Sequence, residues 1–135
     1  MILLDTDVLI DVALDREPHV RDSGRLLELL ESRPRMAFVA WHTLSNFHYL
    51  VRPARGGASV RSFLVDLARF VSVAPADTDA LRYAAALPLT DFEDAMQVAA
   101  AHACGAEAIA TRNVADFRSS PIPARSPREL VAELA

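Results

Sequence analysis

A chain of 135 residues, 52% of them apolar, is long enough to close one hydrophobic core and too apolar to stay disordered. No apolar run reaches the length of a membrane span. A formal charge of −4 argues against a protein that coats nucleic acid non-specifically, though not against an enzyme acting on it. The one cysteine, Cys104, allows no internal disulfide, and the first residues lack the basic region of a secretory leader. A cytoplasmic protein with one domain over residues 1–135 is expected. All 14 basic residues are Arg, so mechanisms that need a lysine are excluded.

The run Ile2-Leu3-Leu4 stops at Asp5-Thr6-Asp7. Three apolar residues without alternation predict a strand buried on both faces, as in the middle of a parallel sheet. Val8 to Leu14 predicts a helix, and Asp7 is a candidate cap for it. Asp15-Arg16-Glu17-Pro18 is a turn, and residues 19–32 form an amphipathic helix with Leu26, Leu27 and Leu30 on one face. Met36 to Ala40 is a second strand. A third helix runs from His42 or Thr43 to Val51, broken by Pro53 and Gly56-Gly57, and a fourth from about Ser59 to Arg69.

Phe70 to Val73 is a third strand, and Asp77 to Ala86 a short helix stopped by Pro88. Helix six runs from Asp91 to Gly105, with Ala95, Ala99, Ala100, Ala101 and Ala103 making its middle small enough to lie close to a sheet. Ala108 to Thr111 is a fourth strand, Ile122 marks a candidate fifth, and Pro127 to Leu134 closes the chain as a helix. Strands alternating with helices predict an α/β fold: a three-layer α/β/α sandwich around a parallel sheet of four to five strands.

Right-handed crossovers bring the carboxyl ends of such strands to one edge of the sheet. Asp5 and Asp7, then Asp91, Glu93 and Asp94, then Asp116 would meet there. At ~4 Å and an effective dielectric of ~20, each pair of carboxylates costs roughly 4 kcal/mol. A hard divalent cation, Mg²⁺ or Mn²⁺, would offset that repulsion and assist phosphodiester hydrolysis. Ordinary structural roles compete. Thr90-Asp91-Phe92-Glu93 fits a capping box, which would account for Glu93. Asp91 is balanced between first-turn and ligand roles. Asp94 shares a face with Asp91 and is better explained by function. Asp11 and Asp15 suit the surface or a turn. His42, His48 and His102 lack zinc spacing and suit a polar core or surface, and Cys104 suits a small buried site. Arg52, Arg55, Arg61 and Arg69 are candidates for steering a phosphate backbone, with a solvated helix face as the alternative. Arg112, beside the acids, is the stronger phosphate-binding candidate.

The ordered set Leu4-Asp5-Thr6-Asp7-Val8-Leu9-Ile10-Asp11, Asp91-Phe92-Glu93-Asp94-Ala95 and Ala110-Thr111-Arg112-Asn113 with Asp116-Phe117 resembles a PIN domain. That family is a compact α/β/α nuclease fold that includes the VapC-type toxins. The resemblance implies Mg²⁺- or Mn²⁺-dependent cleavage of RNA, a homodimer, and a small antitoxin partner. It places Asp5 at the family's first acid, Asp94 at the third, Thr6 at the hydroxyl after the first acid and Thr111 at the hydroxyl of the late motif. Asn46 falls where the family has a glutamate. Asn113 falls where many members have an aspartate, with Asp116 as its replacement. The expected site is therefore Asp5, Asp94 and Asp116 as catalytic residues. Asp91 joins them as metal ligand, and Thr6, Asn46, Thr111 and Asn113 support them.

Asp5-Thr6-Asp7 also fits a haloacid-dehalogenase-type phosphatase, and acids at strand ends fit a receiver domain. Both call on a lysine that this chain lacks. A PIN fold with a weakened acidic cluster, acting as an RNA- or partner-binding module, is the alternative to an active nuclease.

Overall fold

A computed structural model describes residues 1–135. The elements are β1 (Ile2–Leu4), α1 (Thr6–Ala13), α2 (His19–Glu31), β2 (Ala37–Val39), α3 (Trp41–Arg55), α4 (Gly57–Leu67), β3 (Val71–Val73), α5 (Thr78–Ala86), α6 (Phe92–Cys104), β4 (Ala108–Ala110), β5 (Ala124–Arg125) and α7 (Pro127–Leu134). The five strands form one parallel sheet in the order β3-β2-β1-β4-β5. The chain winds outward from β1 to β3, then returns to the other side of β1 as β4. The crossover point thus lies between β1 and β4, where open parallel sheets leave a crevice at the strands' carboxyl ends.

Both faces of β1 are covered, which is why its residues do not alternate. Ile2 and Leu4 join a core cluster with α1, α2, α3, α4 and α7, while Leu3 points the other way with Val98, Ala101 and Ile109. The alanines of α6 serve two contacts: Ala100 and Ala101 are buried in that second layer and let the helix lie close against the sheet, while Ala95 and Ala99 pack against Ala84 of α5. Phe47 of α3 anchors the first layer, fully buried and stacked on Phe63 of α4 at 5.1 Å. No helix is long and apolar enough to cross a membrane.

Three elements differ from the expected ones. Helix α1 begins at Thr6, not Val8, because the last residue after the strand also caps the helix and no loop intervenes. Helix α3 runs through Pro53 to Arg55, and Gly56 at φ +82° ends it. Pro53 lies exposed in the last turns of the helix, where losing one backbone hydrogen bond costs least. The fifth strand is Ala124–Arg125 rather than Ile122. Thr111 N–H donates to the Arg125 carbonyl at 3.0 Å, and Ile122, set between two prolines, packs against the core instead.

Phe47→Ala should remove about 3–5 kcal/mol of stability through the cavity it opens between α3 and α4. Urea denaturation followed by circular dichroism measures it, and Trp41→Ala, at an exposed position of the same helix, should stay within about 0.5 kcal/mol of wild type.

Candidate active site

Asp5 is the residue at which β1 becomes α1. Its backbone is extended (φ −71°, ψ 154°), its N–H still joins the sheet by donating to Ala110 C=O at 2.9 Å, and its Oδ1 caps the helix by accepting from Thr6 N–H at 2.8 Å. Two further neutral donors hold the same carboxylate. Gln97 Nε2 donates to Oδ1 at 3.1 Å, and the Thr111 hydroxyl reaches Oδ2 at 2.9 Å. Gln97, 0% exposed, also donates to the Thr43 hydroxyl at 2.9 Å and lies 3.3 Å from that of Thr6, which itself donates to Thr43 at 3.1 Å. This buried network ties α1, α3 and α6 to one carboxyl group. Neither Gln97 nor Thr43 was singled out from the sequence. The available signal was a long amide in an alanine-rich helix, one turn after Asp94 and on its face.

Asp7 is not the cap of α1. Its Oδ2 accepts from the Thr111 hydroxyl at 3.1 Å, the Arg112 backbone N–H at 3.2 Å and the Asn113 amide at 3.1 Å. The late motif Thr111-Arg112-Asn113 therefore folds over Asp7, and Thr111 bridges both acids. Asp7 Oδ1 is buried and has no partner. Arg112 does not offer its side chain to a substrate here. Its Nε donates to Asp11 Oδ2 at 2.7 Å and a terminal nitrogen donates to Oδ1 at 3.2 Å. Asp11 is accordingly not a surface residue: it is 0% exposed, and a buried carboxylate of this kind needs such a partner.

At the start of α6 the cap is Asp91, whose Oδ1 accepts from Asp94 N–H at 2.9 Å. The expected Thr90–Glu93 capping box is thus displaced by one residue. Glu93, freed from capping, meets His42 Nε2 at 2.7 Å. Asp91, Asp94 and Asp116 line one open polar cavity of about 460 Å³, together with Arg118, which makes no ion pair. Asp116 lies in a 3₁₀ turn over Val114–Phe117, fixed by the burial of Phe117. Asn46 is half-buried one turn after Thr43 and makes no side-chain hydrogen bond.

The electrostatics follow from this placement. Burial, then the charges of Asp7 and Glu93, push Asp5 up to about 8 against the opposing bonds from Thr111 and Thr6. Burial raises Asp7 as well. Asp94 rises to about 6 through burial and then through Asp91, Glu93, Asp116 and Asp7. The acids are felt across the whole site, and the nearest guanidinium is committed to Asp11. No three acidic, histidine or cysteine side chains converge into a closed cage. The donors are nonetheless all anionic or neutral oxygens, and Asp7 Oδ1 is orphaned. Such a set suits a hard divalent cation better than a soft metal.

The family profile described as the PIN domain matches residues 1–115. The chain belongs to the PIN domain family. Solved structures with this PIN fold include VapBC2 from Rickettsia felis bound to a promoter DNA fragment. It shares 18% identity at a TM-score of 0.72, covering 93% of this chain and 98% of that one. A toxin–antitoxin complex from Klebsiella pneumoniae shares 22% identity at a TM-score of 0.71, covering 94% and 98%. VapC20 of Mycobacterium tuberculosis, a toxin that cleaves the sarcin–ricin loop, shares 18% at 0.63, covering 81% and 87%. No curated protein sequence matches the chain. The PIN family assignment agrees with the sequence resemblance, and the five-stranded parallel sheet is the expected α/β/α fold.

The raised ionisation of Asp5 has a definite sign. The folded state holds that proton to about pH 8, whereas the unfolded chain releases it near 4. Its stabilising contribution is therefore complete below about 4 and is lost as pH rises to about 8. In metal-free buffer, the wild type should melt lower at pH 8 than at pH 5.5, and Asp5→Asn should remove most of that difference. Thermal melts of both proteins at the two pH values check this.

Proposed function

We propose that this PIN domain is a metal-dependent endoribonuclease and the toxin of a toxin–antitoxin pair. The observation that carries the reading is the concentration of carboxylates at the β1/β4 crossover, where no basic side chain is paired with Asp5, Asp7 or Asp94. Asp5 and Asp94 would hold Mg²⁺ or Mn²⁺, with Asp116 and Asp91 contributing from the cavity wall. The bound ion would supply charge neutralisation at a phosphodiester and a more acidic water. The chain's own residues do the positioning. Thr6 N–H and Gln97 occupy Asp5 Oδ1, so Oδ2 is the oxygen with a lone pair to spare. Thr111 and Asn113 hold Asp7, and Thr43 supports Gln97. Asp94, raised to about 6 by burial and by its acidic neighbours, is the group whose ionisation lies closest to neutral pH for accepting a proton from water.

The likeness to VapBC2 and to a toxin–antitoxin complex supports an antitoxin partner for this chain, and the likeness to VapC20, which cleaves the sarcin–ricin loop, supports an RNA substrate. Self-association belongs to the same reading, because Leu81, Phe92 and, at its α3 rim, Trp41 leave large apolar side chains exposed around a cleft of about 180 Å³ between α5 and α6. Two observations favour the second reading, a binding module with weakened catalysis: the neutral Asn46 makes no side-chain hydrogen bond, and no three acidic, histidine or cysteine side chains gather closely enough to hold a metal ion.

Cleavage of mixed single-stranded RNA separates the two. With Mn²⁺ or Mg²⁺ the wild type should cut and EDTA should stop it. Asp94→Asn should lose more than the roughly 10- to 100-fold that loss of an outer-shell partner costs. RNA binding without any metal-dependent cleavage would establish the binding module instead.

A further inference from the structure

The face of α3 that points to solvent has a composition that the acidic site does not use. Trp41, Ser45, His48, Tyr49 and Arg52 fall within an arc of roughly 100° on an ideal helix, and their span along the axis is about 17 Å. Trp41 is 68% exposed and Tyr49 73% exposed, unusual for rings of that size. Ser45, His48, Tyr49 and Arg52 line a cleft of about 420 Å³ whose other wall is Arg61 of α4. Neither Arg52 nor Arg61 makes an ion pair. Helix α3 contains no acidic residue at all. On a chain with net charge −4 this is a positive island with two rings standing on it. Its first turn carries Thr43, which is bonded to Gln97 behind Asp5.

We propose that this face of α3 is a docking track for single-stranded RNA, leading from the acidic site toward Arg52 and Arg61. The proposal rests on the ribonuclease reading for its orientation but not for its evidence. Exposed aromatic side chains stack on unpaired bases, and unpaired guanidinium groups neutralise backbone phosphates. A duplex hides its base faces, so the track selects single strands. The charge pattern disfavours a second copy of this chain as the occupant. A two-fold contact through the same face would gather four arginines and no acid of α3 into one interface, whereas RNA brings the opposite charge.

The test is fluorescence anisotropy in EDTA, with a labelled mixed-sequence RNA of roughly 12 nucleotides, single-stranded and as a duplex. Arg52→Ala/Arg61→Ala should lower the slope of log affinity against log salt by about 1.4. Trp41→Ala/Tyr49→Ala should weaken single-strand binding by at least about five-fold and leave duplex binding unchanged. Arg25→Ala/Arg82→Ala, which removes two arginines paired to acids of their own helices, should change neither quantity. Thermal melts confirm that each variant is folded.

Unchanged affinity and slope in both α3 variants would overturn the proposal, as would a wild type that binds no RNA. So would light scattering in which Trp41→Ala/Tyr49→Ala turns a dimer into a monomer at constant RNA affinity. That last result would make a second copy the occupant. The two readings fail separately: binding lost in the variants without any metal-dependent cleavage by the wild type refutes the nuclease and leaves the track standing.

Discussion

The structure depends on a buried carboxylate, Asp5, held by neutral donors alone at the point where the sheet reverses its winding. Parallel pairing of β1 with β4 sets Leu4 against Ala110, so the next residues, Asp5 and Thr111, leave the sheet side by side. The Thr111 hydroxyl then bridges Asp5 and Asp7. A hydrogen bond from a hydroxyl or an amide fixes the direction of a carboxylate without cancelling its charge. Thr6, Gln97 and Thr111 therefore orient Asp5 without supplying a positive charge, and burial makes its ionised form costly enough that the metal-free protein holds the proton to about pH 8. The arrangement stores repulsion that a cation from outside can relieve.

Arg112 shows how the charge is kept. It sits in the sequence directly after Thr111, and its backbone N–H bonds Asp7, yet its guanidinium turns to Asp11 on α1. That pair joins residues 101 apart in the chain and pins the late motif to α1, the helix that Asp5 caps. The pairing does two things at once. It satisfies a carboxylate that is wholly buried, and it keeps the guanidinium from bonding Asp5 or Asp7 directly, so that only its field reaches Asp7. His42 holds Glu93, whose charge raises Asp5 and Asp94.

The sheet was legible because β1 and β4 are short unbroken apolar runs ended by a polar residue, because β2 is an apolar run of strand length and β3 stops short of Pro75, and because the alanine pattern of α6 is a packing signature. The closing helix was legible at both ends, from Pro127 in its first position to Leu134. Asp5 and Asp94 were legible from their places after a strand and at a helix start. What escaped was set by partners distant in sequence. Asp11 has the spacing of a surface acid until Arg112 is brought to it. Gln97 and Thr43 are ordinary residues for helices until the fold closes them over Asp5. The caps of α1 and α6 were misplaced by one or two residues because Asp5-Thr6-Asp7 and Thr90-Asp91 each offer two capping side chains. Only backbone geometry chooses between them.

The central claim is that this uncompensated charge is a cation site. The most direct measurement is the anomalous scattering of Mn²⁺ in crystals of the wild-type protein. The account predicts a peak within ligand distance, about 2.0–2.6 Å, of a carboxylate oxygen of Asp5 and one of Asp94. Saturating Mn²⁺ with no peak at these acids, or a peak held only by the exposed Asp91 and Asp116, would contradict it.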